Sequence, residues 1–358
     1  MRMMVFHINR NDKSAHILKN EAMFRTMGID VQDVYDHDLL NGDLTGYDAI
    51  YLNWFENIDG GAFYMPVLRF IRRKIQLARI RRSKIQVIYC KHNKFPHNAR
   101  YPSLSRDLYL ELCRMAKVII AFNNDTDNDL KEIFPAEDFS KKIRVIPPLH
   151  YIGTYPPNPG SETYQLAKDH PGKFIVGFVG KISSYKNVEL IIRAAAEMKD
   201  EDIVFMIFGQ AVTQEYEKHL DSMAKGMNNV IIHFGMVPDD EMYPILDISD
   251  ILIMPYDVRS ASNSGTGRLA FSYGKTVISP DISSMKLIPE DLIYEYHYDN
   301  DQEHYGKMAA QIYRAYHDWQ KDPGILAGKG ARLLELMRKY HSEGSIRTAY
   351  QAVFDSIV

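Results

Sequence analysis

The stretch 174-FIVGFVGKISSYKNVELIIRAAAEM-198 decides the fold. Phe174–Val179 is an unbroken apolar run of strand length, and Gly180 closes it. After Asn187 the period changes: Val188, Leu190, Ile191, Ala194 and Ala195 fall on one side of a helix. Asn187 stands where an N-cap is expected. A strand entering a helix through a glycine turn is a βα unit. Buried parallel strands read as continuous apolar runs rather than as alternation.

Similar runs flank this stretch. Before it lie Met3–Phe6, Ala49–Leu52, Val87–Tyr89, Val118–Phe122 and Val145–Ile146. After it lie Ile203–Phe208, Val230–Phe234, Ile251–Met254, Thr276–Ile278 and Leu292–Tyr294. Helical patterns separate them. The rhythm predicts an α/β protein of two Rossmann-like, doubly wound domains with a cleft between them. Residues 154–173 hold four prolines and no strand-like run. They divide the chain into an N-terminal domain (1–155), a linker (156–172) and a C-terminal domain (173–320). Residues 321–358 read as helices, candidates for packing back on the N-terminal domain.

Composition narrows the function classes. A net charge of −3 over 358 residues gives no general draw to nucleic acid. Cys90 and Cys113 are too few for a disulfide scaffold and fit a reducing cytoplasm. The opening MRMMVFHINRND turns polar too early for a signal-peptide core, and no apolar run reaches membrane-spanning length.

Four constellations carry chemistry. Lys181 and Lys186 follow the strand ending at Val179, at the sheet edge where open α/β sheets bind ligands. They suit an anion such as a diphosphate, or form an ordinary solvated loop. The second is 262-SNSGTGR-268, which lies beyond the strand Ile251–Met254. Gly265 and Gly267 permit close backbone approach, Asn263, Ser264 and Thr266 offer neutral donors, and a helix start favours negative charge. The stretch contains no acid, which would repel phosphate. Gly265, Gly267 and Ala270 also match the dinucleotide pattern G-x-G-x-x-A. That pattern needs a strand running directly into its first glycine. Third, His92 and His97 follow the strand Val87–Tyr89; neutral imidazole can take a proton from a hydroxyl. Fourth, residues 62–84 hold eight basic residues and no acid, with Leu68, Ile71, Ile75 and Ala78 at helical spacing. This is a basic amphipathic helix, suited either to an anionic membrane surface or to a charged outer face.

The assembled pieces resemble GT-B glycosyltransferases, the family-4-like group, over about residues 85–285. The resemblance rests on Phe178-Val179-Gly180-Lys181 with Lys186, on Ile231–Val237, on Ser249–Pro255, on Ser272–Val277 and on His92-Asn93. It implies sugar transfer from a nucleotide-diphosphate donor, UDP- or GDP-linked, to a saccharide or lipid-linked acceptor. Lys181 and Lys186 would stabilise the leaving diphosphate. Gly180, Asn263, Ser264, Gly265 and Thr266 would line it, and Met236 and Val237 would offer backbone to the base. His92 is the first candidate on the acceptor side, with His7, His97 and Asp257 behind it. No metal or cofactor is expected. The usual pair of glutamates is replaced by Ala261 and Leu269, a departure closer to certain bacterial polysaccharide glycosyltransferases. It leaves the stereochemical outcome open. It also keeps two alternatives: a sugar-nucleotide epimerase on the same fold, and a non-catalytic nucleotide-sugar-binding protein.

Overall fold

In the computed structural model, residues 1–8, 14–59, 61–94 and 100–357 are described. They divide into two units, one of residues 1–149 with 340–358, the other of residues 150–339.

The first unit alternates strands and helices: β1 Arg2–Phe6, α1 Ala15–Thr26, β2 Asp30–Val34, α2 Asp36–Asn41, β3 Ala49–Asn53, α3 Met65–Ser83, β4 Gln86–Cys90, α4 Pro102–Met115, β5 Val118–Ala121, α5 Thr126–Ile133 and β6 Ile143–Val145. The strands pair in parallel in the order β2-β1-β3-β4-β5-β6. Alternate residues enter opposite faces. Met4, Phe6, Ile50, Leu52, Val87 and Tyr89 join one core, with Leu77 and Ile80 of α3. Met3, Val5, Ala49, Tyr51, Ile88 and Cys90 join the other.

The second unit begins with α6 Thr163–Asp169 and continues β7 Phe174–Val179, α7 Val188–Glu197, β8 Ile203–Gly209, α8 Gln214–Ala224, β9 Val230–Phe234, α9 Asp239–Ile248, β10 Ile251–Ile253, α10 Gly265–Ser272, β11 Val277–Pro280, β12 Tyr294–Tyr296, α11 Asp301–Lys321 and α12 Gly324–Tyr340. Its parallel sheet runs β12-β11-β10-β7-β8-β9. The last helix, α13 Glu343–Asp355, belongs to the first unit. There the Tyr350 hydroxyl meets that of Tyr51 at 2.9 Å, and Tyr350 and Phe354 pack edge-on against Phe24.

Three expectations change. Residues 156–172 are part of the second unit rather than a spacer: α6 forms there, and Ser161 and Thr163 donate to the Glu241 carboxylate. Of the tail, most of α12 stays with the second unit. The basic row on α3 is not uniformly exposed. Arg73 is buried, paired with Asp36 and set over the rings of Phe6 and Phe55. The acids missing from this helix come from its neighbours: Lys74 and Arg81 share Glu111, and Arg72 faces Asp36 at 3.7 Å.

Candidate functional site

In the second sheet β7 lies between β10 and β8. The chain leaves β7 toward β8 and leaves β10 in the opposite direction, toward β11. The ends of β7 and β10 therefore form the switch point at which such sheets bind ligands.

Two loops meet there. Gly180, directly after β7, has φ +139°. A Cβ at this position would stand 3.0 Å from Lys186 Nζ and 3.5 Å from Thr266 Oγ1. Lysine, glycine and threonine from distant segments thus share one small space. The Lys186 side chain is buried, 7% exposed, with its ammonium 4.9 Å from the Tyr256 ring centroid and 5.6 Å from that of Phe178. Among the described residues no carboxylate pairs with it. Burial works to discharge the ammonium, but the adjoining Tyr256 and Tyr185 outweigh it and hold the pKa above the ordinary lysine value. A bound anion would give this ammonium the full counter-charge that no carboxylate among the described residues supplies.

Asn187 holds the N-cap position of α7, but its side chain makes no capping bond. It takes the left-handed conformation (φ +50°) and donates Nδ2 to the Pro255 carbonyl at 2.9 Å. The Asp257 N–H donates to the Tyr185 carbonyl at 2.8 Å. These two bonds sew the loop after β7 to the loop after β10 and press Tyr256 against Lys186.

Ser264 is the N-cap of α10, its Oγ accepting from the Gly267 N–H at 2.9 Å. That amide is therefore used, and the N–H groups of Gly265 and Thr266 are left at the helix start. Gly265 faces open space, whereas a Cβ on Gly267 would lie 2.8 Å from Met285 Cε. Gly267 is thus a packing glycine, not a ligand-facing one. This removes the physical basis of the dinucleotide pattern. Asn263 donates to Ser262 Oγ at 3.2 Å. Arg268 turns to Tyr151, 3.0 Å from its hydroxyl. Lys181 is exposed, and among the described residues nothing holds its side chain.

Beyond β8 and β9 lies a cavity of about 870 Å³, lined by Phe208, His233, Gly235, Met236 and Val237 and by residues of α6 and α9. Gly235 takes φ +136° and donates to the Gly209 carbonyl at 3.0 Å. Met236 is 81% exposed. The volume lies in the range of small-molecule sites.

In the first unit the candidates follow the ends of β1, β3 and β4. His92 is buried and stacked on Trp54, with centroids 3.7 Å apart. Its Nε2 lies 3.0 Å from Asn53 Oδ1. Trp54 itself has φ +47°, a strained conformation for an aromatic residue. His7 is buried and joined to Glu21 at 2.5 Å. Asp257 is tied to Arg259 at 2.9 Å. His97 lies outside the described residues. Two triads, His16–Cys90–His92 and His7–Glu21–Asp33, bring donor atoms within 4.8 Å of one another. Their members are engaged otherwise: Arg25 balances Glu21 and Asp33, and burial pushes the Cys90 thiol up to about 12. Glu56, after β3, is 5% exposed. Burial pushes its carboxyl up to about 7, against the pull of Tyr89, Lys91 and Arg73.

Sequence reasoning missed Tyr256, Trp54, Asn53 and the tether made by Asn187. The available signals were a tyrosine two residues beyond a strand end and an Asn-Trp pair closing another.

Comparison with known proteins supplies the class. Residues 173–318 match the family described as Glycosyl transferases group 1. HepE of Anabaena, solved with UDP and glucose, aligns with a TM-score of 0.75 at 13% identity, covering 99% of this chain and 100% of that one. Sucrose-phosphate synthase of Thermosynechococcus elongatus aligns with a TM-score of 0.74 at 11% identity, covering 99% and 98%. The chain therefore has the GT-B fold, with a group 1 glycosyltransferase match in its second unit. A 2-deoxystreptamine glucosyltransferase of Streptomyces kanamyceticus is 28% identical over 83 residues, which span 23% of this chain and 21% of that protein. No helix among the described residues is long and apolar enough to cross a membrane.

Proposed function

We propose that the protein transfers a hexosyl group from a nucleoside-diphosphate sugar to a hydroxyl of a saccharide or lipid-linked acceptor, in surface polysaccharide synthesis. One observation carries this: a buried ammonium without a carboxylate partner, Lys186, beside Gly180 and the Thr266 hydroxyl at a sheet switch point. The UDP and glucose bound to HepE, on the same fold, support it.

In this proposal the bond from the sugar C1 to the diphosphate oxygen breaks, and its electron pair leaves on the diphosphate. Lys186, Lys181 and the first amides of α10 meet the growing charge, so no metal or cofactor is invoked. Positive groups fixed in advance need no rearrangement in the transition state. The base lies against Met236 and Val237. The acceptor oxygen attacks C1 and its proton passes to a base, for which His92 is the candidate. The free, buried Cys90 and Cys113 accord with a cytoplasmic protein. An anionic membrane surface, met through residues 62–84, is its further partner.

Ala261 and Leu269, both buried and apolar, favour a second reading in which the nucleotide sugar is bound without transfer. An epimerase would consume donor without acceptor. Thermal shift with a panel of nucleotide sugars, then product analysis with donor alone and with acceptor, separates the three. Stabilisation follows mass action; no shift with any nucleotide sugar would remove the donor site altogether.

A further inference from the structure

Helix α3 leaves an apolar stripe uncovered. Tyr64, Leu68, Ile71 and Ile75 are each half exposed, and Phe63 is 72% exposed. Positions 64, 68, 71 and 75 lie on one helical face. The opposite face, with Arg73, Gln76, Leu77 and Ile80, is the buried one. Five of the twelve large apolar side chains exposed among the described residues thus fall within this short segment. Exposed apolar patches of this kind mark interaction sites.

Most of the helix's charge is already engaged. Arg69 donates to the carbonyls of Ile58 and Asp59, and Arg79 to that of Gly42. Arg72, Arg73, Lys74 and Arg81 face Asp36, Asp107 or Glu111. Among the described residues, the side chains of Arg82 and Lys84 have no partner.

We propose that α3 docks on an anionic bilayer by inserting Phe63, Tyr64, Leu68, Ile71 and Ile75 into the headgroup and acyl boundary, with Arg82 and Lys84 left for lipid phosphates. This deepens the membrane reading above: contact is apolar first and electrostatic second. Aromatic side chains settle at such interfaces, and long cationic ones reach back to the headgroups. Charge selects lipid over a second copy of this chain. The eight basic residues of 62–84 outnumber Asp36, Asp107 and Glu111, the acids that pair with them, so a two-fold contact through the stripe would bring two net-cationic helices together. An anionic surface meets them with opposite charge.

The test uses the full chain and sedimentation with two kinds of vesicle, phosphatidylcholine alone and phosphatidylcholine with phosphatidylglycerol. The expected result is binding to the anionic vesicles that survives high salt, since inserted apolar contacts are not screened. The triple variant Leu68→Gln, Ile71→Gln, Ile75→Gln is expected to lose affinity by ~10-fold or more. Its circular dichroism and its thermal response to nucleotide sugars should be unchanged. Arg82→Glu with Lys84→Glu should weaken binding less. Binding that salt abolishes and the triple variant retains overturns insertion while leaving a membrane partner. No vesicle binding by wild type overturns both. A dimer in sedimentation velocity that the triple variant loses, without vesicle binding, assigns the stripe to a second copy and overturns the proposal.

Discussion

At the scale of single residues, Lys186 is where the proposed donor site is tested most directly. Its ammonium is buried among Tyr256, Tyr185 and Phe178 rather than acids. Lys186→Met should abolish the protein's stabilisation by nucleotide sugars. If transfer is measurable, the barrier should rise by ~3 kcal/mol, about 100-fold in kcat. A variant that still responds to nucleotide sugars as wild type does would remove Lys186 from the site. Glu56 gives a second test. Its folded-state carboxyl titrates at about 7 against a reference of 4.5. Between these values the folded state keeps the proton and the unfolded state loses it, so this residue's contribution to stability declines as pH rises. The decline amounts to about 3 kcal/mol across that window. In urea titrations, Glu56→Gln should gain on wild type by about that amount between pH 4.5 and above 7. A difference that stays constant with pH would contradict the assignment.

At the scale of elements, α10 shows why its sequence excludes an acid. Ser264→Ala removes the bond to the Gly267 amide and should cost about 1 kcal/mol in denaturant unfolding. Ser264→Asp can keep the cap, since carboxylates cap helices well. It also sets a negative charge at the helix start, two residues from Thr266. It should unfold near wild type yet fail to bind nucleotide sugars by calorimetry; a variant that binds normally would show that no anion sits there. What the sequence made legible follows the same physics. Central strands such as β7 and β8 are buried on both faces, so they appear as apolar runs. Strand β2, DVQDV at the sheet edge, alternates between exposed and half-buried up to the buried Val34 and carries no such run. Lys186, Gly180 and Thr266 could be named from their loops. That Asn187 ties to Pro255, or that His92 stacks on Trp54, could not, because those contacts join segments whose separation only the folded sheet closes.

At the scale of the whole molecule, the apolar stripe of α3 assigns the first unit a second task besides holding candidate acceptor-side residues. The carboxy-terminal helices divide their work as well. Helix α13 completes a core of the first unit through Ile346, Tyr350, Val353 and Phe354. Helix α12 packs against the end of α10 through bare backbone: a Cβ on Gly330 would fall 1.7 Å from the carbonyl oxygen of Gly274, in the turn that ends α10. No side chain fits there unless one of the two segments retreats. Gly330→Ala should therefore weaken nucleotide-sugar binding in calorimetry, acting through the tail end of the helix whose first turn is proposed to meet the diphosphate. A region without a single recognisable motif would then prove to be the brace behind the active surface.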